Sequence, residues 1–148
     1  VLVKIGLWLK SRNEKVFQPA GPLLSKCEQN FLNHLDKAYD SDIRAYTKVR
    51  VADVVKVKSM LNKKKWWSYF SKISQRHFDF VLVSKSDSSV ICALELDDSS
   101  HSKVARSNQD SYLNNVCNQA NIPLIRIKAA QSYTIADIKK RITDAQAA

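Results

Sequence analysis

Two carboxylates interrupt strongly apolar stretches of this chain, where a bare negative charge would be costly to bury. Asp79 lies within HFDFVLV, and Glu95 lies near the end of VICALELDD. The polar run SKSDSS between these stretches is a turn signal and predicts a β-hairpin. With the turn centred near Asp87, Asp79 lies opposite residue 94 or 95, which brings the two carboxylates to roughly 5 Å between Cβ atoms.

Like charges at that separation repel, which predicts that one carboxyl holds a proton or that a cation binds between the two. Mg²⁺ or Mn²⁺ fits such a site, because hard divalent ions take oxygen ligands and keep waters that a phosphate substrate can displace. Asp97 shares the face of Glu95 by strand alternation and is a candidate for a second ion or for a general base.

Zinc is the competing metal, with Asp97, Asp98 and His101 as its possible ligands. No spaced Cys/His cluster accompanies these residues, which disfavours zinc. His101 is instead a candidate donor to substrate or to a carboxylate, with an ordinary surface histidine as the alternative. Asp98 is equally well explained as a turn residue.

A third acid comes from a predicted helix that is opened by Pro22 and runs to about Tyr39. Its apolar positions recur at spacings of three and four, at Leu24, Cys27, Phe31 and Leu35. Glu28 lies on the same side, so we expect its carboxylate to have a partner. The alternative is a helix rotated so that Glu28 lies at its margin beside a lysine.

The remaining patterns complete an α/β fold. IRAYTKVRV alternates with a period of two and predicts a half-buried strand whose outer face is basic, formed by Arg44, Tyr46, Lys48 and Arg50. A short helix and a basic, aromatic excursion follow, and after the hairpin come a helix over 102–120, the strand IPLIRIKA and a helix capped by Thr134 and Asp137. This order predicts a three-layer sandwich around a mixed sheet of about four strands.

Charge and composition point to a polyanionic partner. The formal net charge is +10, and two glycines are too few for a glycine-rich phosphate loop. In the aromatic excursion, lysines adjoin flat rings in a pattern that predicts nucleic-acid binding, at Lys63, Lys64, Lys65, Trp66 and Trp67. Alternatively these rings fill the core or an oligomer contact, and an anionic membrane surface is the third reading.

Two cations of the later helix are candidates for contacts with phosphate. Lys103, Arg106 and Asp110 are spaced three and four apart and continue toward Leu113 and Cys117, so we expect them to face the sheet. The alternative is a solvated first turn whose cations pair with Asp110.

The ordered motifs HFDFVLV, ELDDSSH, ARSNQDSYLNN and PLIRI resemble the PD-(D/E)XK nuclease superfamily, in particular the branch of the very-short-patch repair endonucleases and a bacterial domain family of unknown function. The similarity covers about Pro22 to Ile127. It implies a restriction endonuclease-like fold that hydrolyses DNA, or alternatively RNA, without a small-molecule cofactor. It also implies a metal held by Asp79, Glu95 and the Leu96 carbonyl, with Glu28 as the helix acid.

The sequence departs from that superfamily at one position. Where the general pattern has E-x-K, this chain has Glu95, Leu96 and Asp97, so the lysine that would orient the attacking water is missing. Lys103, His101 and His77 are candidates to replace it, and the spacing does not choose among them. The missing lysine leaves open a nucleic-acid-binding module without turnover.

The chain divides into a leader over residues 1–20 and a nuclease-like domain over 21–148. The leader VLVKIGLWLK is far shorter than the ~20 apolar residues of a membrane span. It is at most the remnant of an anchor, and a regulatory or scaffold domain attached to a missing N-terminal region is a third hypothesis. Three separated cysteines predict buried, reduced thiols, and hence a cytoplasmic protein with or without a membrane tether.

Overall fold

The computed structural model describes residues 15–39, 41–97 and 103–147, without the side chains of residues 103–110. The described ranges form these helices and strands: α1 Lys26–Ala38, β1 Ile43–Arg50, α2 Val51–Val54, α3 Lys63–Ser74, β2 His77–Ser84, β3 Val90–Asp97, α4 Lys103–Gln119, β4 Leu124–Lys128 and α5 Ile135–Gln146. None of these helices is long and apolar enough to cross a bilayer.

The strands form one mixed sheet in the order β1-β2-β3-β4. β1 pairs antiparallel with β2, and β2 pairs antiparallel with β3. β3 pairs parallel with β4 because α4 carries the chain back across the sheet. The predicted α/β sandwich with a four-stranded mixed sheet is therefore confirmed.

Two apolar clusters lie on the two faces of the sheet. On the α1 face, helices α1 and α5 bury side chains that include Phe31, Leu35 and Ile138 against Phe80 and Leu94 of the central strands. On the α4 face, helices α2, α3 and α4 cover a second cluster, formed by Val51, Ile73, Phe78, Val81, Val83, Ala93, Leu113 and Cys117. Both faces of β2 and β3 are covered, which explains their nearly continuous apolar sequences.

Helix boundaries follow capping chemistry more closely than proline position. α1 begins at Lys26, four residues after the predicted Pro22, because the Ser25 hydroxyl accepts from the Glu28 N–H and the Glu28 carboxylate accepts from the Ser25 N–H. This reciprocal pair satisfies two backbone donors that a helix start otherwise leaves open. At α5, Thr134 accepts from the Asp137 N–H, as its sequence predicted.

The regular alternation predicted for β1 is wrong at Lys48. Lys48 has φ of +54°, a left-handed conformation that L-residues seldom adopt. As a result Ala45 packs on the α1 face whereas Val49 packs on the α4 face, although an even spacing should put both on one side. Lys48 therefore leaves the basic outer face to which the alternation assigned it.

Two further expectations need correction. The basic, aromatic excursion contains a regular helix, α3, capped by Asn62. Among the cysteines, Cys92 and Cys117 are buried, whereas Cys27 is only half-buried and does not belong to the core. Burial raises the pKa of the Cys92 thiol to about 12, so this thiol is unreactive at neutral pH.

We predict that Phe80→Ala lowers the free energy of unfolding by about 3–5 kcal/mol, because a completely buried ring leaves a cavity between α1 and the sheet. Phe31, which meets Phe80 edge to face at 5.3 Å, loses its partner. Urea unfolding followed by circular dichroism measures the change. The matched control is Phe17→Ala, because Phe17 is 92% exposed and its loss should leave the midpoint unchanged. Equal midpoints for the two variants would contradict this account of the core.

Candidate active site

Side chains from three elements meet at one end of the sheet, where β1 and β2 change their pleat. The ammonium of Lys48 from β1 donates to the Glu28 carboxylate of α1 and lies 3.8 Å from Oδ1 of Asp79 in β2. One cation is thereby shared by two acids that are far apart in sequence. All three side chains are partly shielded from water, with exposed fractions of 36%, 12% and 24% for Lys48, Glu28 and Asp79.

The reversal of the pleat in β2 places Asp79 at this point. Phe78 packs on the α4 face and Phe80 on the α1 face, although alternation should put residues two apart on the same side. The partners of Phe78 and Phe80 in β1 are Val49 and Thr47, so Asp79 lies across from Lys48. The irregularities in β1 and β2 therefore bring the Asp79 carboxylate close to the Lys48 ammonium.

The hairpin positions Asp79 against β3 as well. The paired register of β2 and β3 reaches Phe80 and Leu94, and its continuation puts Asp79 next to Glu95. Oδ2 of Asp79 accepts a hydrogen bond of 2.8 Å from the N–H of Leu96. This hydrogen bond from the backbone of β3 holds the Asp79 carboxylate beside the peptide that joins Glu95 to Leu96.

The environment moves the two carboxyl pKa values in opposite directions. For Glu28, burial raises the pKa, but hydrogen bonds from Lys48 and Ser25 outweigh it and lower the pKa below its ordinary value. For Asp79, burial dominates and raises the pKa, although the Leu96 N–H and the Lys48 charge oppose it. The nearby Glu28 carboxylate adds to the rise at Asp79. Neighbouring acids with divergent proton affinity are typical of sites that do acid–base chemistry.

Glu95 lies toward the α4 face. Its neighbour Leu94 packs on the α1 face, and strand alternation directs Glu95 to the other side. There its charge helps burial to raise the pKa of the Cys117 thiol of α4 to about 11, while Arg126 opposes the rise. Arg126 is also the register partner of Glu95 in β4. The structure therefore brings Glu28, Asp79 and the Leu96 backbone together, with Glu95 adjacent to Asp79 in register and near Cys117 and Arg126.

The other predicted residues fall in three places. Asp97 ends β3 with an exposed side chain, and His77 begins β2 and is also exposed. Lys103 and Arg106 lie in the first turns of α4, whose side chains there are outside the description. Asp98 and His101 lie outside the described residues.

The site has the oxygen ligands that a hard cation needs. In the described ranges, no three His, Cys, Asp or Glu side chains converge as a ready-made metal cage. Mg²⁺, however, is usually held by one or two carboxylates together with water and substrate oxygens. The Lys48 ammonium already lies between Glu28 and Asp79, so a divalent ion bound to these oxygens would compete with that ammonium.

A groove leads to Lys48 along the first two strands. Besides Lys48, its polar lining residues are Tyr46, Thr47, Arg50, Asp53 and His77. Its apolar lining includes Val81 and Val83, which belong to the cluster on the α4 face. Arg50 in this groove is paired with Asp53, at 2.6 Å between Nη2 and Oδ1, so an anionic substrate would compete with that carboxylate for Arg50.

Lys48 is the functional candidate that the sequence reading missed. A period of two assigned it to the solvent side of β1, and no glycine or proline marks the position where the strand turns. The only available signal was the prediction that inward-facing Glu28 requires a partner.

Comparison with protein families finds that residues 20–146 match a family described as "Protein of unknown function (DUF2726)". No curated protein and no solved structure matches the chain.

We predict that Lys48→Met raises the pKa values of Glu28 and Asp79, because the Lys48 ammonium lowers both. The free energy of unfolding should fall by about 1–3 kcal/mol at pH 7, since shielded carboxylates lose a charged donor. The deficit should shrink as the pH falls and both carboxyls take up protons, because protonation removes the advantage that Lys48 gives to their ionised forms.

Carbon-detected NMR titration of the carboxyl groups and urea unfolding at several pH values measure these effects. Lys48→Arg is the control, since it keeps the positive charge and should retain most of the stability. A Lys48→Met variant with a stability deficit that does not vary with pH would contradict the electrostatic role of Lys48.

Proposed function

The chain belongs to the DUF2726 family, and we propose that it is a metal-dependent nuclease that hydrolyses phosphodiester bonds in DNA. The observation that carries this proposal is the convergence of Glu28 and Asp79, from a helix and a central strand, on one cation beside the Leu96 peptide. Structural ion pairs also shield acids, but the raised pKa of Asp79 beside the lowered pKa of Glu28 favours a chemical role for this pair.

The fold and the motif order support this function. A mixed four-stranded sheet lies between helices, and the acids occur at the end of its central hairpin. This arrangement agrees with the resemblance to PD-(D/E)XK nucleases, in which an acid strand, a second acid strand and a helix acid follow a similar plan. The net charge of +10 favours a polyanionic substrate.

Asp79 and the Leu96 carbonyl are the proposed metal ligands, and Glu28 assists from α1. Glu95, the further ligand that the resemblance implies, points to the α4 face, so it joins this set only if its side chain changes conformation. A divalent ion held there would lower the pKa of a water molecule and polarise a phosphoryl oxygen. A bound divalent ion would lower the pKa of Asp79 and keep it ionised as a ligand, so the proton of the attacking water passes to solvent or to Asp97, the general-base candidate at the end of β3.

The reaction exchanges one bond to phosphorus for another. The water oxygen forms a bond to phosphorus, the bond from phosphorus to the leaving sugar oxygen breaks, and that oxygen leaves with a proton from solvent or from a nearby acid. Lys48 compensates the negative charge that grows on the phosphate oxygens, and thus supplies the site with an ammonium that Asp97 cannot provide. Lys103 and Arg106 remain proposed phosphate contacts from α4.

A second candidate is a nucleic-acid-binding module with this fold and no turnover. Asp97 at the usual lysine position favours it, because the strand itself then supplies no ammonium to the site. Binding without cleavage in the following experiment would select this candidate.

We predict that the protein nicks supercoiled plasmid with Mg²⁺ or Mn²⁺ and stops when EDTA is added. Asp79→Asn and Glu28→Gln should each lower the rate by at least about 100-fold, because each removes a charge from the metal site. Glu95→Gln should have a smaller effect, since the Glu95 side chain points to the α4 face. Gel electrophoresis over time gives the rates. The matched control is Asp36→Asn, an exposed acid of α1, which should cleave as fast as the native chain. Cleavage that survives Asp79→Asn would overturn the assignment.

We also predict that Asp79→Asn in EDTA at pH 7 raises the unfolding temperature by about 2–4 °C, since it removes a shielded charge whose ionised form burial disfavours. Added Mn²⁺ should stabilise the native chain and not the variant, because only the native chain retains the Asp79 carboxylate as a metal ligand. Scanning calorimetry with and without Mn²⁺ measures both effects. Equal stabilisation of the two proteins by Mn²⁺ would place the ion elsewhere.

A further inference from the structure

Helix α3 exposes an aromatic surface that the site does not use. Ile73 is the one buried residue of this helix, and Trp66 and Phe70 are half-buried beside it. Trp67 and Tyr69 are 53% and 50% exposed. A twelve-residue helix that buries one residue fully while presenting large rings to solvent has a surface suited to a ligand.

The ring of Trp67 is held in a fixed orientation. Trp66 stacks on Phe70 with centroids 4.8 Å apart and planes inclined by 13°. The Trp67 ring stands nearly perpendicular to both, at 5.1 Å from Trp66 and 5.8 Å from Phe70. These contacts brace the indole before any ligand arrives, so binding to its exposed part costs little ordering of the side chain.

Positive charge surrounds this ring. Lys63 and Lys64 precede Trp67 by four and three residues, so they lie on the same side of the helix. Both lysines are exposed, and α3 contains no aspartate or glutamate. A ligand of Trp67 therefore combines a flat apolar group with negative charge nearby.

We propose that Trp67, Lys63 and Lys64 form a binding surface for an unpaired nucleic-acid strand, in which a base stacks on the indole and the lysines contact adjacent phosphates. Unpaired bases expose the faces that aromatic side chains stack on, whereas bases inside a duplex do not. This assignment rests on the proposed nuclease function and narrows its substrate to DNA with a single-stranded segment.

The chain connects α3 directly to a strand that carries one of the acids. α3 ends at Ser74, three residues before β2 begins at His77, and β2 carries Asp79 as its third residue. α3 packs on the α4 face whereas Glu28 belongs to α1 on the other face, so a nucleic-acid strand bound on Trp67 would reach the acids around the end of the sheet.

The geometry disfavours an anionic membrane as the partner. Trp67 and Tyr69 are two residues apart and so point to different sides of α3, which prevents both rings from entering one membrane plane. Between them, the central stripe of Trp66, Phe70 and Ile73 faces the protein. On the Tyr69 side, Lys72 and Arg76 lie over the ring of Tyr112 from α4, at 6.0 and 4.8 Å from its centroid.

The test measures binding in EDTA, so that it does not depend on cleavage. Fluorescence anisotropy with a labelled oligothymidylate and with a blunt duplex of equal length gives two affinities for each protein. The native chain should prefer the single strand. Trp67→Ala should weaken single-strand binding about tenfold and duplex binding much less, while Trp67→Phe should recover most of the loss because it keeps a ring.

Charge is tested separately. The double variant Lys63→Gln, Lys64→Gln should weaken binding and reduce its salt dependence. Lys15→Gln combined with Lys37→Gln is the matched control, because it removes the same charge from exposed lysines outside α3. Three outcomes would each overturn the proposal. The two lysine pairs could have equal effects on binding, or Trp67→Ala could weaken duplex and single-strand binding equally. The third outcome is tight binding to anionic vesicles that Trp67→Ala abolishes while the affinity for the oligonucleotide persists. Loss of cleavage in Asp79→Asn with retained oligonucleotide binding separates this surface from the acid site.

Discussion

The arrangement of the site depends on a single cation, the Lys48 ammonium, which keeps two carboxylates together. Glu28 and Asp79 come from a helix and from the sheet, and without a positive charge between them their repulsion would oppose the packing of α1 on β2. Lys48 reaches them because its strand adopts a left-handed residue at that position. An unfavourable backbone conformation is thus offset by an electrostatic contact, a combination found where function constrains a fold.

Placing both acids near one cation does not make them equivalent. Glu28 accepts from Lys48 and from the backbone, and its ionised form is stabilised. Asp79 accepts one hydrogen bond, from the Leu96 N–H, and its Oδ1 lies 3.8 Å from the Lys48 ammonium, so its burial is less fully compensated and its ionised form is less favoured. The difference follows from the donors that reach each carboxylate, since Glu28 is the less exposed of the two side chains and still has the lowered pKa.

Sequence alone predicted the sheet, the hairpin and the inward direction of Glu28, because a turn signal and helical periodicity depend on short-range geometry. The register of Asp79 and Glu95 followed from the turn within one residue. The sequence did not predict the position of Lys48. A period of two assumes that side chains alternate regularly along a strand, whereas both β1 and β2 reverse this alternation. The sequence also did not predict that α3 is a regular helix. Its lysines and aromatic rings are compatible with several structures, and its one buried anchor, Ile73, is known only from the structure. The register put Asp79 beside Glu95, but it did not show that the two side chains point to different faces, because β2 changes its alternation at Asp79 whereas β3 continues to alternate from Leu94 to Leu96.

The two oxygens of Glu28 serve different parts of the molecule. One accepts the Ser25 N–H at the start of α1, and the other accepts Lys48. Fraying of the first helical turn would therefore release the cation, and removal of the cation would loosen that turn. Local opening of the first turn of α1 and the charge state of Glu28 and Asp79 are thus thermodynamically linked. Amide hydrogen exchange at the start of α1 would therefore report on protonation or cation binding at these carboxylates.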